Sequence, residues 1–237
     1  MKRTYLIDEP IPLKHTELVL QTAFHEAGHA SAIYLSNKQK QLPPVYFQIS
    51  FRGLCTDRTQ NGENTQFAKK NGVAIVEGGH LINSLPLTAL ESCSYFSDCE
   101  SHAHQIAYEA DIINLLAGPL AEAKFVAHCD DECFNPRLVN VHALKYYGGT
   151  ADLEKVHEYL NGFIATKEKR HKKLNELFLA AFKFVDNPAN WHAITELAHY
   201  ILNNEKEVIS CEEAIEVLDE SMSKTVQYKW PTARFRR

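Results

Sequence analysis

No long apolar run occurs in this chain of 237 residues. The longest, Ile112 to Ala121, is interrupted by Asn114 and Pro119 and falls short of the ~20 residues a membrane-spanning helix needs. No Gly-Lys pair occurs, which excludes a Walker A phosphate loop. No excess of basic residues occurs either: 25 Lys and Arg face 30 Asp and Glu, a net charge of −5, so no nucleic-acid partner is expected. The basic tail, with Lys229, Arg234, Arg236 and Arg237, reads as a solvated end. Met1-Lys2-Arg3 is followed by Asp8, Glu9 and Pro10 rather than an apolar stretch, so no secretory leader is expected. These absences point to a cytoplasmic chain without membrane attachment. Its six cysteines, at 55, 93, 99, 129, 133 and 211, are then expected to be reduced. Cys129-x-x-x-Cys133 follows His128, and Cys93 and Cys99 precede His102 and His104, but no matched C-x-x-C pair exists. Free thiols are a better expectation than a second, structural zinc.

What is present is His25-Glu26-Ala27-Gly28-His29, an H-E-x-x-H motif. Two histidines four apart on a helix share one face, within reach of one Zn²⁺ at about 2.0–2.1 Å. The glutamate beside the first can take a proton from a water on that metal. The motif needs a helix, and residues 16–36 read as one. Thr16 stands as N-cap, Glu17 lies in the first turn, and Leu20, Ala23, Phe24, Ala27, Ala30 and Tyr34 recur at helical spacing.

A catalytic zinc takes three protein ligands and keeps one position open. Ala32 and Leu35 stand where a metzincin would continue Gly and His, so the third ligand comes from elsewhere. Asp152 follows a Gly148-Gly149-Thr150 turn at a helix start capped by Thr150, where negative charge is also favoured by the helix dipole. Glu122 lies in the otherwise apolar Leu116–Ala123 stretch and wants a partner, as a ligand or as a group orienting a ligand histidine. Glu109 is a third option.

Three blocks in order, His-Glu-Ala-Gly-His-Ala, Leu-Ala-Gly-Pro-Leu-Ala-Glu and Gly-Gly-Thr-Ala-Asp-Leu, resemble the peptidase domain of the membrane-bound AAA protease FtsH. The resemblance spans residues 15–220 through these short blocks. It implies an FtsH-peptidase-like helical zincin fold, one catalytic Zn²⁺ and Asp152 as third ligand. The Gly-Thr-x-Asp fragment is also similar to the third-ligand motif of aspzincins. Pro119 stands where the family usually has arginine, Ala123 where it often has a second glutamate, and the stretch from His29 to Gly118 is longer. With 24 residues ahead of the motif and no ATPase signature, the resemblance implies the peptidase unit standing alone. FtsH-like peptidase domains assemble as rings, which implies a homo-oligomer.

The expected architecture is mainly α with a small β-sheet (α+β), one metallopeptidase-like domain over 1–237. Its metal-site core would cover 15–165, its C-terminal helices 166–228, and a loop insertion 54–70. Val45–Phe51 and Val73–Val76 read as strands. Helices are expected over 101–117 and 119–128, broken at Gly118-Pro119, then over 151–165 and 167–185. Asn187-Pro188 starts another and Ser210 to Glu213 forms a capping box. The expected activity is zinc-dependent hydrolysis of peptides or unfolded protein, with metal on His25, His29 and Asp152 and Glu26 as general base. The alternatives are hydrolysis of a small amide and a non-catalytic metal-binding or interaction protein. His80, His102, His104, His142, His157 and Tyr147 are candidates for a second oxyanion donor. An extended substrate would add to the edge of strand 45–51.

Overall fold

Two helices whose middle stretches turn no face to solvent organise the molecule. The computed structural model describes residues 15–53, 72–84 and 98–227. Helix α1, His15–Ser31, continues through a π-turn at Ala32–Ser36 into a last turn at Asn37–Gln39. Helix α2 is Asp98–Cys129. Every residue from Gln21 to Ile33 on α1, and from Ala110 to Lys124 on α2, is buried. A helix apolar all round belongs inside a fold rather than on its surface.

The two helices meet where side chains are smallest. A Cβ on Gly28 would lie 2.6 Å from the Ala117 carbonyl oxygen and 2.6 Å from Ala121 Cβ. The expected break at Gly118-Pro119 does not occur; α2 runs straight through Pro119. Proline removes one bond of the helix ladder. Here burial of the apolar residues on both sides of it, from Leu115 to Ala123, holds the helix together.

The remaining helices surround this pair: α3 (Thr150–Phe163), α4 (Lys167–Asp186), α5 (Pro188–Asn203) and α6 (Cys211–Gln227). Strands β1 (Phe47–Gly53), β2 (Gly72–Gly78) and β3 (Val208–Ile209) form an antiparallel sheet in the order β2-β1-β3. The fold is therefore mainly helical with a small sheet, an α+β class. No helix among the described residues is long and apolar enough to cross a membrane.

The short β3 has no counterpart in the expected elements, because two residues carry no readable alternation. It makes β1 the central strand, with Ile49 opposite Val76 on one side and Ile209 on the other. The expected addition of a substrate to β1 finds little free edge: β2 pairs along its length, β3 pairs with Ile49 and Ser50, and Gln48 donates to Glu77 across the sheet at 3.0 Å. The outer edge of β2 carries no strand among the described residues. The expected loop insertion 54–70 and residues 1–14 lie outside the described residues.

The C-terminal helices follow their local signals. Asn187 accepts from the Ala189 and Asn190 amides, with Pro188 in the first turn. Ser210 and Glu213 exchange the two bonds of a capping box at 3.0 and 3.3 Å. Lys124, buried on α2, donates to the Val185 carbonyl and to Asp186 at the end of α4, with the Trp191 ring 4.8 Å away. A cation at a helix C-terminus is favoured by the exposed carbonyl dipoles.

Candidate metal centre

On α1, His25 and His29 stand one turn apart and both are fully buried. The ring of His29 has room because residue 118 has no side chain: a Cβ there would lie 2.2 Å from His29 Nε2. Each imidazole is fixed through its Nδ1. His25 Nδ1 lies 3.0 Å from Glu122 Oε2, and His29 Nδ1 lies 2.8 Å from the Asn114 carbonyl oxygen. Acceptors at both Nδ1 positions favour the tautomer with the proton there, leaving each Nε2 lone pair free.

Both Nε2 atoms face Asp152, in the first turn of α3. The corner before it is set by Gly148, which has a φ of 71° in the left-handed region, and by Gly149, which packs against Pro119. Only glycine populates that backbone region without a steric cost. The expected cap, Thr150, is instead the first helical residue, preceded by Gly149 at the cap position. Asp152 Oδ2 lies 3.3 Å from His25 Nε2, and Oδ1 lies 3.4 Å from His29 Nε2. The three ligand atoms fall within 4.8 Å of one another. Glu122 is thus placed behind His25. Glu109 is engaged elsewhere, with Lys173 at 3.1 Å and Gln105 at 2.9 Å.

Four atoms here are buried without an aligned hydrogen bond: His25 Nε2, His29 Nε2, Asp152 Oδ1 and Asp152 Oδ2. A buried acceptor without a donor costs about 1–3 kcal/mol, more when charged, and the group formed here could hold a metal ion. Asp152 turns one oxygen to each imidazole, and the 3.3 and 3.4 Å separations are close to the ~3.3–3.4 Å between two ligand atoms on one zinc.

The electrostatics agree. Burial disfavours charge on His25, yet the Asp152 and Glu122 carboxylates beside it outweigh burial and push its pKa up to about 10. Burial likewise opposes ionisation of Asp152, but His29 and His25 hold it well below the usual carboxylate range. The carboxylates beside His25 favour positive charge on it, from a proton or a metal ion.

Glu26 is also buried, with Oε2 accepting from the Val76 amide of β2 at 2.7 Å. Burial raises its pKa, against the neighbouring His25 and His29 and the Val76 N–H. A buried carboxylate with a raised pKa is a stronger base than a free one, which suits proton transfer.

No protein-family model, no well-characterised protein and no solved structure matches the chain. The reading of the site therefore rests on its own chemistry. Among the other sequence candidates, the His102 side chain lies outside the described residues. His142 and His157 are exposed and line, with His171, a different cavity against α4. His104 is buried on α2 and Tyr147 half-buried. His80 stands at the end of β2 beside Tyr159 of α3.

Three contributors were not legible in the sequence: the Asn114 carbonyl, the Val76 amide and the space left by Gly118. Backbone groups look alike at every position. The small Gly118 within Leu-Ala-Gly-Pro was the one available signal.

Proposed function

We propose that the chain is a zinc-dependent hydrolase of peptide bonds. The observation that carries this reading is the buried His25, His29 and Asp152 set, with unpartnered ligand atoms within 4.8 Å of one another and Glu26 beside it. A site that only held metal for stability would have no use for a buried carboxylate of raised pKa next to the ligands. The likeness to the FtsH peptidase blocks points the same way. The proposal includes a cytoplasmic location, peptides or unfolded protein as substrate, no ATP hydrolysis of its own, and homo-oligomer assembly.

Zinc bound there supplies a Lewis acid and a water of lowered pKa. The chain does the rest. Glu122 and the Asn114 carbonyl hold the two imidazoles with Nε2 inward. Glu26 takes the proton from the attacking water and delivers it to the leaving amine. The outer edge of β2, which carries no strand among the described residues, is where an extended substrate would pair.

A second reading, hydrolysis of a small amide, is favoured by one observation: all four site residues are buried, leaving a polypeptide little access. Cleavage of casein set against cleavage of a quenched short peptide and a simple aryl amide separates the two. For either reading, Glu26→Gln is expected to keep its zinc and lose turnover by about 10²-fold or more. Undiminished turnover in that variant would remove Glu26 as the base.

A further inference from the structure

The chain enters the corner after β2 under tight control. Gly78 and Gly79 take φ values of 88° and 79°, in the left-handed region. The Gly79 amide donates to the Tyr46 carbonyl at 2.9 Å. Two residues later the Leu81 and Ile82 amides donate to the buried Asp111 carboxylate of α2, at 2.7 and 3.0 Å. His80 is therefore pinned on both sides through the backbone, and its half-buried ring lies against α3. There Tyr159 Oη is 3.4 Å from His80 Nδ1, with the rings edge to face at 6.5 Å. Tyr159 and Asp152 are seven residues apart on α3, two turns along one face. The ring thus stands at the end of β2 whose Val76 amide holds Glu26, and beside the helix face that supplies Asp152.

The protonation states suit a donor. Burial pushes the His80 pKa down, Lys155 adds to this, and His29 and Asp152 act on the ring in opposite senses. Burial, then Asp111, raises Tyr159 above the usual phenol range, so its hydroxyl keeps its proton. A neutral imidazole that accepts at Nδ1 carries its hydrogen on Nε2.

We propose that His80 is the second oxyanion donor of this site: Tyr159 donates to Nδ1, fixing the Nε2–H tautomer, and Nε2–H bonds the carbonyl oxygen as it gains negative charge. This rests on the hydrolase reading above and names a catalytic residue within it, with Tyr159 as its positioning residue. Neutral donors aimed where charge develops stabilise the transition state without adding a charge to the resting site.

The test uses the full chain loaded with cobalt, whose visible bands report its ligands, and acetohydroxamate as a probe that needs no side-chain pockets. Wild type, His80→Ala, His80→Gln and Tyr159→Phe are titrated, with metal content and thermal midpoint measured on each. His80→Ala is expected to keep one metal and lose about 10- to 100-fold in acetohydroxamate affinity, the worth of a hydrogen bond to an anion. His80→Gln, which keeps an N–H, should recover part of that loss, and Tyr159→Phe should lose only a few-fold. Unchanged affinity in a metal-loaded His80→Ala overturns the proposal while leaving the hydrolase reading intact. So does a His80→Gln no better than His80→Ala, because a packing role would not depend on the N–H. A wild type that takes up no metal or binds no acetohydroxamate overturns the hydrolase reading first, and this inference with it.

Discussion

The middle stretches of α1 (Gln21–Ser31) and α2 (Ala110–Lys124) are buried on every side, whereas α6 buries a single stripe, Cys211, Ala214, Leu218 and Ser221, and leaves its other faces partly or fully to solvent. The polar groups of the two regions differ in the same way. Around α5 and α6, side chains close the helix ends locally: Asn187 caps its own amides, and Ser210 and Glu213 cap each other. Around α1 and α2, His25 reaches Glu122, 97 residues away, and Glu26 reaches Val76, 50 residues away. In that region four ligand atoms remain without a donor. The outer helices use their polar groups to close the fold; the inner pair leaves buried polar groups without a partner, the ones proposed to hold the metal. That contrast makes separable predictions.

Gly118→Ala should act most strongly. The added methyl would collide with the His29 ring, which the Asn114 carbonyl holds in place. Overpacking of this kind costs about 1–3 kcal/mol, and here it should also displace a ligand. Metal content far below one per chain, in protein that still shows helical circular dichroism, is the expected result. Full metal content would show that the α1–α2 crossing yields more readily than its packing implies.

Asp152→Asn and Glu122→Gln rank next and sharpen the distinction between a ligand and its support. Loss of a group that orients a ligand histidine lowers metal affinity about 10- to 100-fold. Loss of the Asp152 charge, which faces both Nε2 atoms, should cost more. Competition with a chelator of known affinity measures both. The reverse order would make Glu122 the ligand.

The smallest effects belong to the outer helices. Asn187→Ala and Ser210→Ala should each cost about 1 kcal/mol in denaturant unfolding and leave metal affinity unchanged. A change in metal affinity from either would break the separation between the two regions.

The sequence is legible where signals are local. The H-E-x-x-H helix, the Asn187-Pro188 start and the Ser210–Glu213 box depend on residues within one turn of each other, and all three elements form. It also set Asp152 and Glu122 apart as acidic residues needing partners, and the structure brings both to His25. What escaped it depends on tertiary contact. Pro119 reads locally as a break, yet the surrounding burial carries α2 through it. Val45–Phe51 reads as an edge strand because the two residues of β3 that cover it give no pattern. The registry of β2 that turns the Val76 amide toward Glu26 has no trace in composition or spacing.

Zinc content is the most direct test of the central claim. Freshly purified wild type, analysed by plasma emission after gel filtration and again after incubation with zinc and removal of the excess, should hold one zinc per chain. A folded, helical protein that holds none and takes up none would mean that the buried histidines and Asp152 hold only protons, and the account of this site as a metal centre would be wrong.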